Sequence, residues 1–561
     1  MYQSIHYNRI TKTFHLRDDA KSWLDFQYRA PGYIEDPRGS LTTLEGKKVS
    51  PTKQYTYKDP NVYESDVDRL TRVLVDVYYE HDDIPSFHNL LYLDIETEIV
   101  GSLTQDSIRE AQAKITAISL YDNNAKTYFC YILDEKRLLK PSETSNKHVL
   151  PCVSEKELLY KFLDKWEEID PTIISGWNSE FFDIPCLYSR MVKILGKNHA
   201  VRLSPLKIVD EGEYLGQKYT KIAGVNHLDY MLLFKKFITK QEPSYKLDDI
   251  GTKYVELGKL DYLGSLDKLF REDINKFIDY NLRDVEILVA LEDKMKFIDL
   301  TVIIAHLCHV PYEQIYLSTA LNEGAILTYL KRKNIVSPNK PTTYNPSLKD
   351  LDEGYAGGYL LDPVPGLYEW VCDEDLTSLY PTIIRTLNLG IETYMGRIME
   401  RIDKNDCWWG LIDLKEMDKD KEVTIESRKG TTNTLTVGKL IELIESNNLT
   451  ISASGAMFRT DIKSVTSEIL ADWFDKRTEY KALRKKAYKS GDQAKGDFYD
   501  RYQQAFKILL NSLYGCYAIN SWRYTDGHKI LSAAITLSGQ RITKESIREV
   551  NKIIEGMMYE I

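Results

Sequence analysis

Two patterns of apolar and polar positions run along this chain. Between residues 89 and 296, short apolar runs alternate with stretches of helical spacing, as in an α/β domain whose strands lie buried between helices. Asn89-Leu-Leu-Tyr-Leu-Asp-Ile-Glu-Thr is one such strand and ends in Asp94 and Glu96. Thr172-Ile-Ile-Ser is another; it turns at Gly176, and a helix is predicted to open near Asn178. Residues 464–489 carry a charged helical pattern, Ser490-Gly491-Asp492 breaks it, and a second helix is predicted to about Tyr514, giving an αα-hairpin. Residues 346–463 read as strands around one short helix, with a helix-like piece at 437–446. Residues 1–88 mix β-like pieces with a polar stretch, 297–345 begin helical and turn Pro/Asn-rich from Asn334, and 538–558 read as helix. The predicted fold is multidomain, α/β and α+β, in six segments: 1–88, 89–296, 297–345, 346–463, 464–519 and 520–561.

Composition narrows the class. The 561 residues are 43% hydrophobic and 28% charged, which excludes a disordered chain or a fibre. No apolar run nears the roughly 18 residues of a membrane span, and MYQSIHYNRI lacks the basic and apolar regions of a secretory signal. Seven cysteines stand far apart with no CxxC pair, so reduced, mostly buried thiols in a cytoplasmic protein are the expectation. A net charge of −10 taken alone argues against nucleic acid, but a local basic face counts for more than the total.

Three separated segments carry acidic chemistry. Asp94 and Glu96 are two apart on a strand and share a face, where they repel each other unless a cation sits between them. Asn178-Ser-Glu-Phe-Phe-Asp brings Asp183, which alone reads as a cap or a solvent-facing side chain. Tyr280-Asn-Leu-Arg-Asp284 puts a phenol and a carboxylate on one helix face, by itself an ordinary surface pair. In this order the four carboxylates and one tyrosine suit phosphodiester hydrolysis by two divalent ions about 4 Å apart, with hard oxygen ligands for Mg²⁺ or Mn²⁺. The three segments resemble the Exo I, Exo II and Exo III motifs of DEDDy-type 3′→5′ proofreading exonucleases. The resemblance implies a ribonuclease-H-like domain over 89–296, with Asp94, Glu96, Asp183 and Asp284 as metal ligands and Tyr280 orienting the attacking water.

A second constellation follows. Asp375-Leu-Thr-Ser-Leu-Tyr-Pro ends a predicted strand and opens a helix, with Pro381 where an early helical position tolerates it. Free N–H groups at such a start can hold phosphates, with Asp375, and Asp373 on the same strand face, beside them. On the αα-hairpin, Lys476, Arg477, Lys481, Arg484, Lys485, Lys486 and Lys489 face only Glu479 between positions 476 and 489. Arg477 and Lys507 lie at similar distances from the turn at Gly491, so together they can clamp a polyphosphate. Lys507, Asn511 and Tyr514 share one face of the second helix.

DLTSLYP and KxxxNSxYG resemble motifs A and B of family B DNA polymerases, and stretches such as RLSP (202–205), PSYKLDDI (243–250) and LLNSLYG (509–515) are similar to the enzymes of large tailed phages. The resemblance implies a palm beginning at 346–463, fingers at 464–519 and a palm re-entry at 520–561. Asp375 becomes a catalytic metal ligand, Ser378 lies by the triphosphate, and Tyr380 is the gate against ribonucleotides. Arg477, Lys481, Lys507 and Asn511 bind the dNTP, and Tyr514 presses on the nascent base pair. Two Mg²⁺ or Mn²⁺ ions serve each site, and the partners are primer–template DNA, single-stranded 3′ ends and dNTPs, with no membrane. The segment 208–222 resembles the hairpin that moves primer ends between sites.

The third polymerase motif, DTDS, is absent; the nearest candidate, Tyr524-Thr-Asp526-Gly, is too close to motif B and lacks the second aspartate. A split enzyme is therefore expected, with a second polypeptide supplying DTDS and the thumb, or else a truncated one. A stand-alone 3′→5′ exonuclease with a DNA-binding polymerase remnant is the alternative, and a non-catalytic nucleic-acid-binding protein the third. Trp408-Trp409, in extra material at about 400–455, is expected in the core.

Overall fold

The computed structural model describes residues 1–20, 22–85, 87–99, 104–214, 217–341, 357–360, 362, 364–367, 369, 375–400, 409–526 and 529–559. Asp373, Trp408 and the strand expected before Asp375 lie outside them. The chain forms two compact units, one of residues 1–28, 82–306 and 311–316, the other of 29–81, 307–310 and 317–561.

The first unit is built on a seven-stranded mixed sheet. Its strands are β1 (Leu90–Thr97), β2 (Ile115–Asp122), β3 (Thr127–Leu133), β4 (Ser142–Glu143), β5 (Lys147–Cys152), β6 (Ile173–Ser175) and β7 (Asn226–His227), in the order β4-β5-β3-β2-β1-β6-β7. β1 pairs antiparallel with β2 and parallel with β6, so it is central, and five of its eight residues are buried while Asp94, Glu96 and Thr97 are partly so. Helices α1 (Glu155–Ile169) and α2 (Asp183–Leu195) cover one face, where Leu93, Leu159, Phe162, Trp166 and Leu187 join a single core. Helix α3 (Ile274–Met295) takes part in a separate cluster with Ala117, Cys130 and Ile132. Its length follows from a continuous 22-residue helical pattern capped by the Asp273 carboxylate and ended by Lys296 in a left-handed conformation.

Residues 1–88, expected as one domain, contribute to both units. The first 28 are tied to the first unit: the Tyr2 hydroxyl donates to the Ala305 carbonyl at 3.0 Å, and Asn226 donates to the Gln3 carbonyl at 2.8 Å. Residues 29–81 belong to the second, where the buried Arg523 guanidinium pairs with both Asp66 and Glu323.

The second unit contains a five-stranded antiparallel sheet of β8 (Tyr394–Ile398), β9 (Glu422–Ser427), β10 (Thr432–Thr436), β11 (Thr450–Ile451) and β12 (Ala456–Phe458), ordered β10-β9-β8-β12-β11. The described part of 346–463 holds three helices: the expected α4 (Leu379–Leu387) and α5 (Val437–Ser446), and between them an unexpected six-residue piece, Leu411–Glu416. The unexpected piece is too short to show a helical period, and tertiary burial of Leu414 holds it. Trp409 is 3% exposed in the core with Leu414, Val423 and Leu440, as expected of a core residue. The αα-hairpin is formed by α6 (Val465–Lys489) and α7 (Gln493–Cys516), with Gly491 at the turn at φ +78°, and α8 (Ile530–Tyr559) follows. Among the described residues no helix is long and apolar enough to cross a membrane; Cys130, Cys152, Cys186 and Cys308 are free and buried, and Cys516 is buried.

Candidate active sites

The first site forms at the end of β1. Asp94 and Glu96 project from one face of the strand, and Asp284 comes down from α3, so that one oxygen from each lies within 4.8 Å of the others. Asp183 stands beside them as the first residue of α2, its Oδ1 accepting the Ile95 N–H at 3.0 Å. The helix opens five residues later than expected. Asn178 takes a left-handed conformation (φ 63°), and the Asp229 carboxylate accepts the N–H groups of Asn178 and Glu180, so this segment is a turn. The delay places Asp183 in the first helical turn, facing the strand.

Burial and mutual repulsion raise the proton affinity of all these acids. Asp94 is held well above the usual carboxylate range, by burial first and then by Asp284, Asp183 and Glu96. Burial and then Asp284 push Glu96 up to about 8, and burial pushes Asp183 up to about 7. Burial also raises Asp284, against the pull of Lys259. Lys259 pairs with Asp284 Oδ2 and its Nζ donates to the Tyr280 hydroxyl at 3.2 Å. Burial alone would lower the lysine; Asp284 and Asp94 outweigh it and hold it above its ordinary value. Tyr280 is pushed up to about 12, chiefly by burial. The site fits a divalent cation on its own chemistry: hard oxygen donors converge, and the buried Asp284 Oδ1 has no hydrogen-bond partner among the described residues.

The second site lies on α4 and the hairpin. Ser378 caps α4 in a left-handed conformation (φ 52°) without a side-chain cap bond, and Asp375, just before it, is exposed and makes no ion pair among the described residues. The Tyr380 ring packs on Tyr514 with centroids 4.4 Å apart. Across the hairpin Arg484 pairs with Asp500, and moving seven residues from each, about two helical turns, brings Arg477 opposite Lys507. Lys481 is lowered from its ordinary value by Arg477 first, then by burial, Arg484, Lys507 and Lys485. Arg477 is lowered by burial. Arg477, Lys481 and Lys507 have no ion-pair partner among the described residues, whereas Lys476 pairs with Asp472 at 3.3 Å. Lys507 and Asn511 are exposed on the face of α7 opposite buried Phe506, Leu509 and Leu513. Asp526 has a structural role, since its carboxylate accepts the N–H groups of Ile530 and Leu531 at the start of α8.

Residues 315–560 match DNA polymerase family B, and residues 46–250 match the exonuclease domain of the same family. The chain belongs to DNA polymerase family B. It is similar to the DNA-directed DNA polymerase of Escherichia phage RB69, 34% identical over 262 residues, which is 46% of this chain and 28% of the relative. It is similar also to the DNA-directed DNA polymerase of Enterobacteria phage T4, 28% identical over 327 residues, covering 54% of this chain and 36% of the relative. DNA polymerase 1 of Sulfolobus acidocaldarius is 23% identical over 558 residues, 94% of this chain and 55% of the relative. The chain thus spans between 28% and 55% of the length of these relatives.

Three residues of the first site in this family B chain escape a reading of the sequence. Asn281 Nδ2 donates to Asp94 Oδ2 at 2.7 Å, and Ser119 Oγ donates to Asn281 Oδ1 at 2.6 Å. Asn281 had a usable signal, since it lies three residues before Asp284 on the same helix face. Ser119 and Lys259 had none: they reach the site through sheet pairing and through a loop after residues 247–255. The hairpin expected at 208–222 is present as Val209–Tyr214 paired with Gln217–Ile222, and Arg109 holds it through Glu211 at 3.1 Å and the Tyr219 carbonyl at 2.8 Å.

Proposed function

We propose that this chain hydrolyses nucleotides from the 3′ ends of DNA at the first site and binds a dNTP for template-directed addition at the second. The observation that carries the reading is the meeting of four carboxylates from three segments, with Lys259 as the one cation paired among them in the described residues. Such a cluster is repulsive until cations neutralise it. Asp94, Glu96, Asp183 and Asp284 would hold two Mg²⁺ or Mn²⁺ ions, which when bound supply Lewis acidity to the scissile phosphate and its leaving oxygen. Tyr280 stays a neutral phenol at physiological pH and orients water by hydrogen bonding, while Lys259 fixes the phenol and offers positive charge to the phosphate.

At the second site Arg477, Lys481 and Lys507 form an uncompensated positive cluster suited to a triphosphate, with Asn511 beside them, Ser378 near the phosphates and Asp375 as a metal ligand. Tyr380 would exclude a 2′-hydroxyl, and Tyr514 would contact the nascent pair. The sheet and helices of the first unit serve as the ribonuclease-H-like exonuclease domain, and the second unit as palm and fingers. Of the six segments, 1–88 and 297–345 divide between the two units, and 89–296, 346–463, 464–519 and 520–561 are kept in these roles, in a cytoplasmic setting. Completion of the extension site draws on a further carboxylate outside the motifs found in these residues. Nothing in the fold or the relatives speaks for a second polypeptide as its source.

The test is a primer–template assay in Mg²⁺ with and without dNTPs, using Asp94→Ala and Asp375→Ala as controls. Primer shortening abolished by Asp94→Ala supports the hydrolytic half. Shortening that survives this substitution overturns it. Shortening without dNTP binding favours the exonuclease-only reading.

A further inference from the structure

We propose that Asn281 and Ser119 form a positioning relay that sets Asp94 for metal binding; the inference rests on the hydrolytic reading above. Ser119 is the cross-strand partner of Asp94, on β2 opposite β1, and Asn281 on α3 bridges the two. Asn281 and Ser119 are both 0% exposed. An ionised carboxylate only accepts hydrogen bonds, so the amide must turn its NH₂ toward Asp94 Oδ2. Its Oδ1 then needs a donor, and in this buried place the Ser119 hydroxyl is that donor at 2.6 Å. Sheet register therefore fixes the hydroxyl, the hydroxyl fixes the amide, and the amide fixes one oxygen of Asp94. The other Asp94 oxygen is left for the cation.

The relay also acts on charge. A donor held 2.7 Å from Oδ2 favours the ionised form that ligates a metal. Neither residue is able to touch a substrate, so these are positioning residues. A bland reading makes the pair a means of satisfying a polar group under α3. That reading predicts lost stability without a change in metal affinity.

Direct Mn²⁺ binding to the full chain, followed by paramagnetic resonance of the free ion, separates the two, with exonuclease kinetics in parallel. Asn281→Ala should raise the Mn²⁺ dissociation constant about ten- to a hundredfold, as loss of a ligand-orienting partner commonly does. Ser119→Ala, a smaller change that keeps the volume nearly filled, should shift it several-fold in the same direction. The double variant should be no worse than Asn281→Ala, because the serine acts only through the amide. Wild-type affinity in both single variants, or fully additive losses, would overturn the relay. If the wild-type chain itself binds no Mn²⁺ at this site, the hydrolytic reading fails and the relay with it; binding by the wild type with unaffected variants fails the relay alone.

Discussion

Replacing Lys259 with Met keeps the aliphatic stem and removes the cation paired with Asp284. Removing one partner of a buried ion pair costs about 3–5 kcal/mol. Lys259 is 29% exposed and Asp284 only 3%, so solvent screens part of that, and about 2 kcal/mol is a reasonable magnitude. For a unit of this size that corresponds to a fall in Tm of about 4–8 °C. The loss should depend on metal. In the absence of divalent ions the substitution leaves four carboxylates with no counter-charge. A bound cation supplies that counter-charge instead, and binding to the folded state stabilises it by mass action. Calorimetry of the full chain with EDTA and then with saturating Mg²⁺ should therefore show the Lys259→Met deficit reduced by more than half in Mg²⁺. An equal deficit in both conditions would mean that Lys259 does not substitute for the cation, and the electrostatic account of the site would be wrong.

Three further outcomes are expected. Lys507→Ala should weaken dNTP binding, measured by titration of a fluorescent dNTP in Mg²⁺, about tenfold or more while Mn²⁺ binding at the carboxylates is unchanged; loss of both would point to misfolding instead. Glu292 is buried, accepts the Tyr230 hydroxyl at 3.0 Å and the Ile298 N–H at 3.2 Å, and is pushed up to about 8 by burial and then Asp299. Its folded value lies above the unfolded one, so its contribution is complete below about pH 4.5 and is lost as pH rises toward 8; Glu292→Gln should remove a slope of about 1.4 kcal/mol per pH unit from denaturant titrations in that window. Trp409→Ala should cost about 3–5 kcal/mol in denaturant unfolding of the second unit, since the ring is 3% exposed and its Nε1 donates to the Glu400 carbonyl.

Local patterns were legible where the chemistry is local. The strand carrying Asp94 and Glu96, the α3 spacing of Tyr280 and Asp284, and both helices of the hairpin follow from periodicity, because one element sets each relation. What failed needed distant partners. The turn at Asn178 exists because Asp229, about fifty residues on, accepts its N–H groups, and no local spacing encodes that. Lys259 has no periodic neighbours to mark it, and the division of residues 1–88 between two units follows from buried partners such as Arg523 that lie hundreds of residues away.

The net charge of −10 misleads about phosphate chemistry for a reason the two sites make plain. What a phosphate meets is the charge left after internal pairing, not the total. On α6 and α7, Lys476 and Arg484 are already neutralised by Asp472 and Asp500, so the seven basic positions of the pattern overstate the field. Five of the seven, Arg477, Lys481, Lys485, Lys486 and Lys489, and Lys507 on α7 have no ion-pair partner among the described residues, and Lys481 already feels Arg477, Lys507 and Lys485 as repulsion. Repulsion among cations is removed by an anion, just as repulsion among Asp94, Glu96, Asp183 and Asp284 is removed by a divalent cation. Each site is thus unfinished in charge, with opposite signs, and each gains most from the ligand that the other would reject.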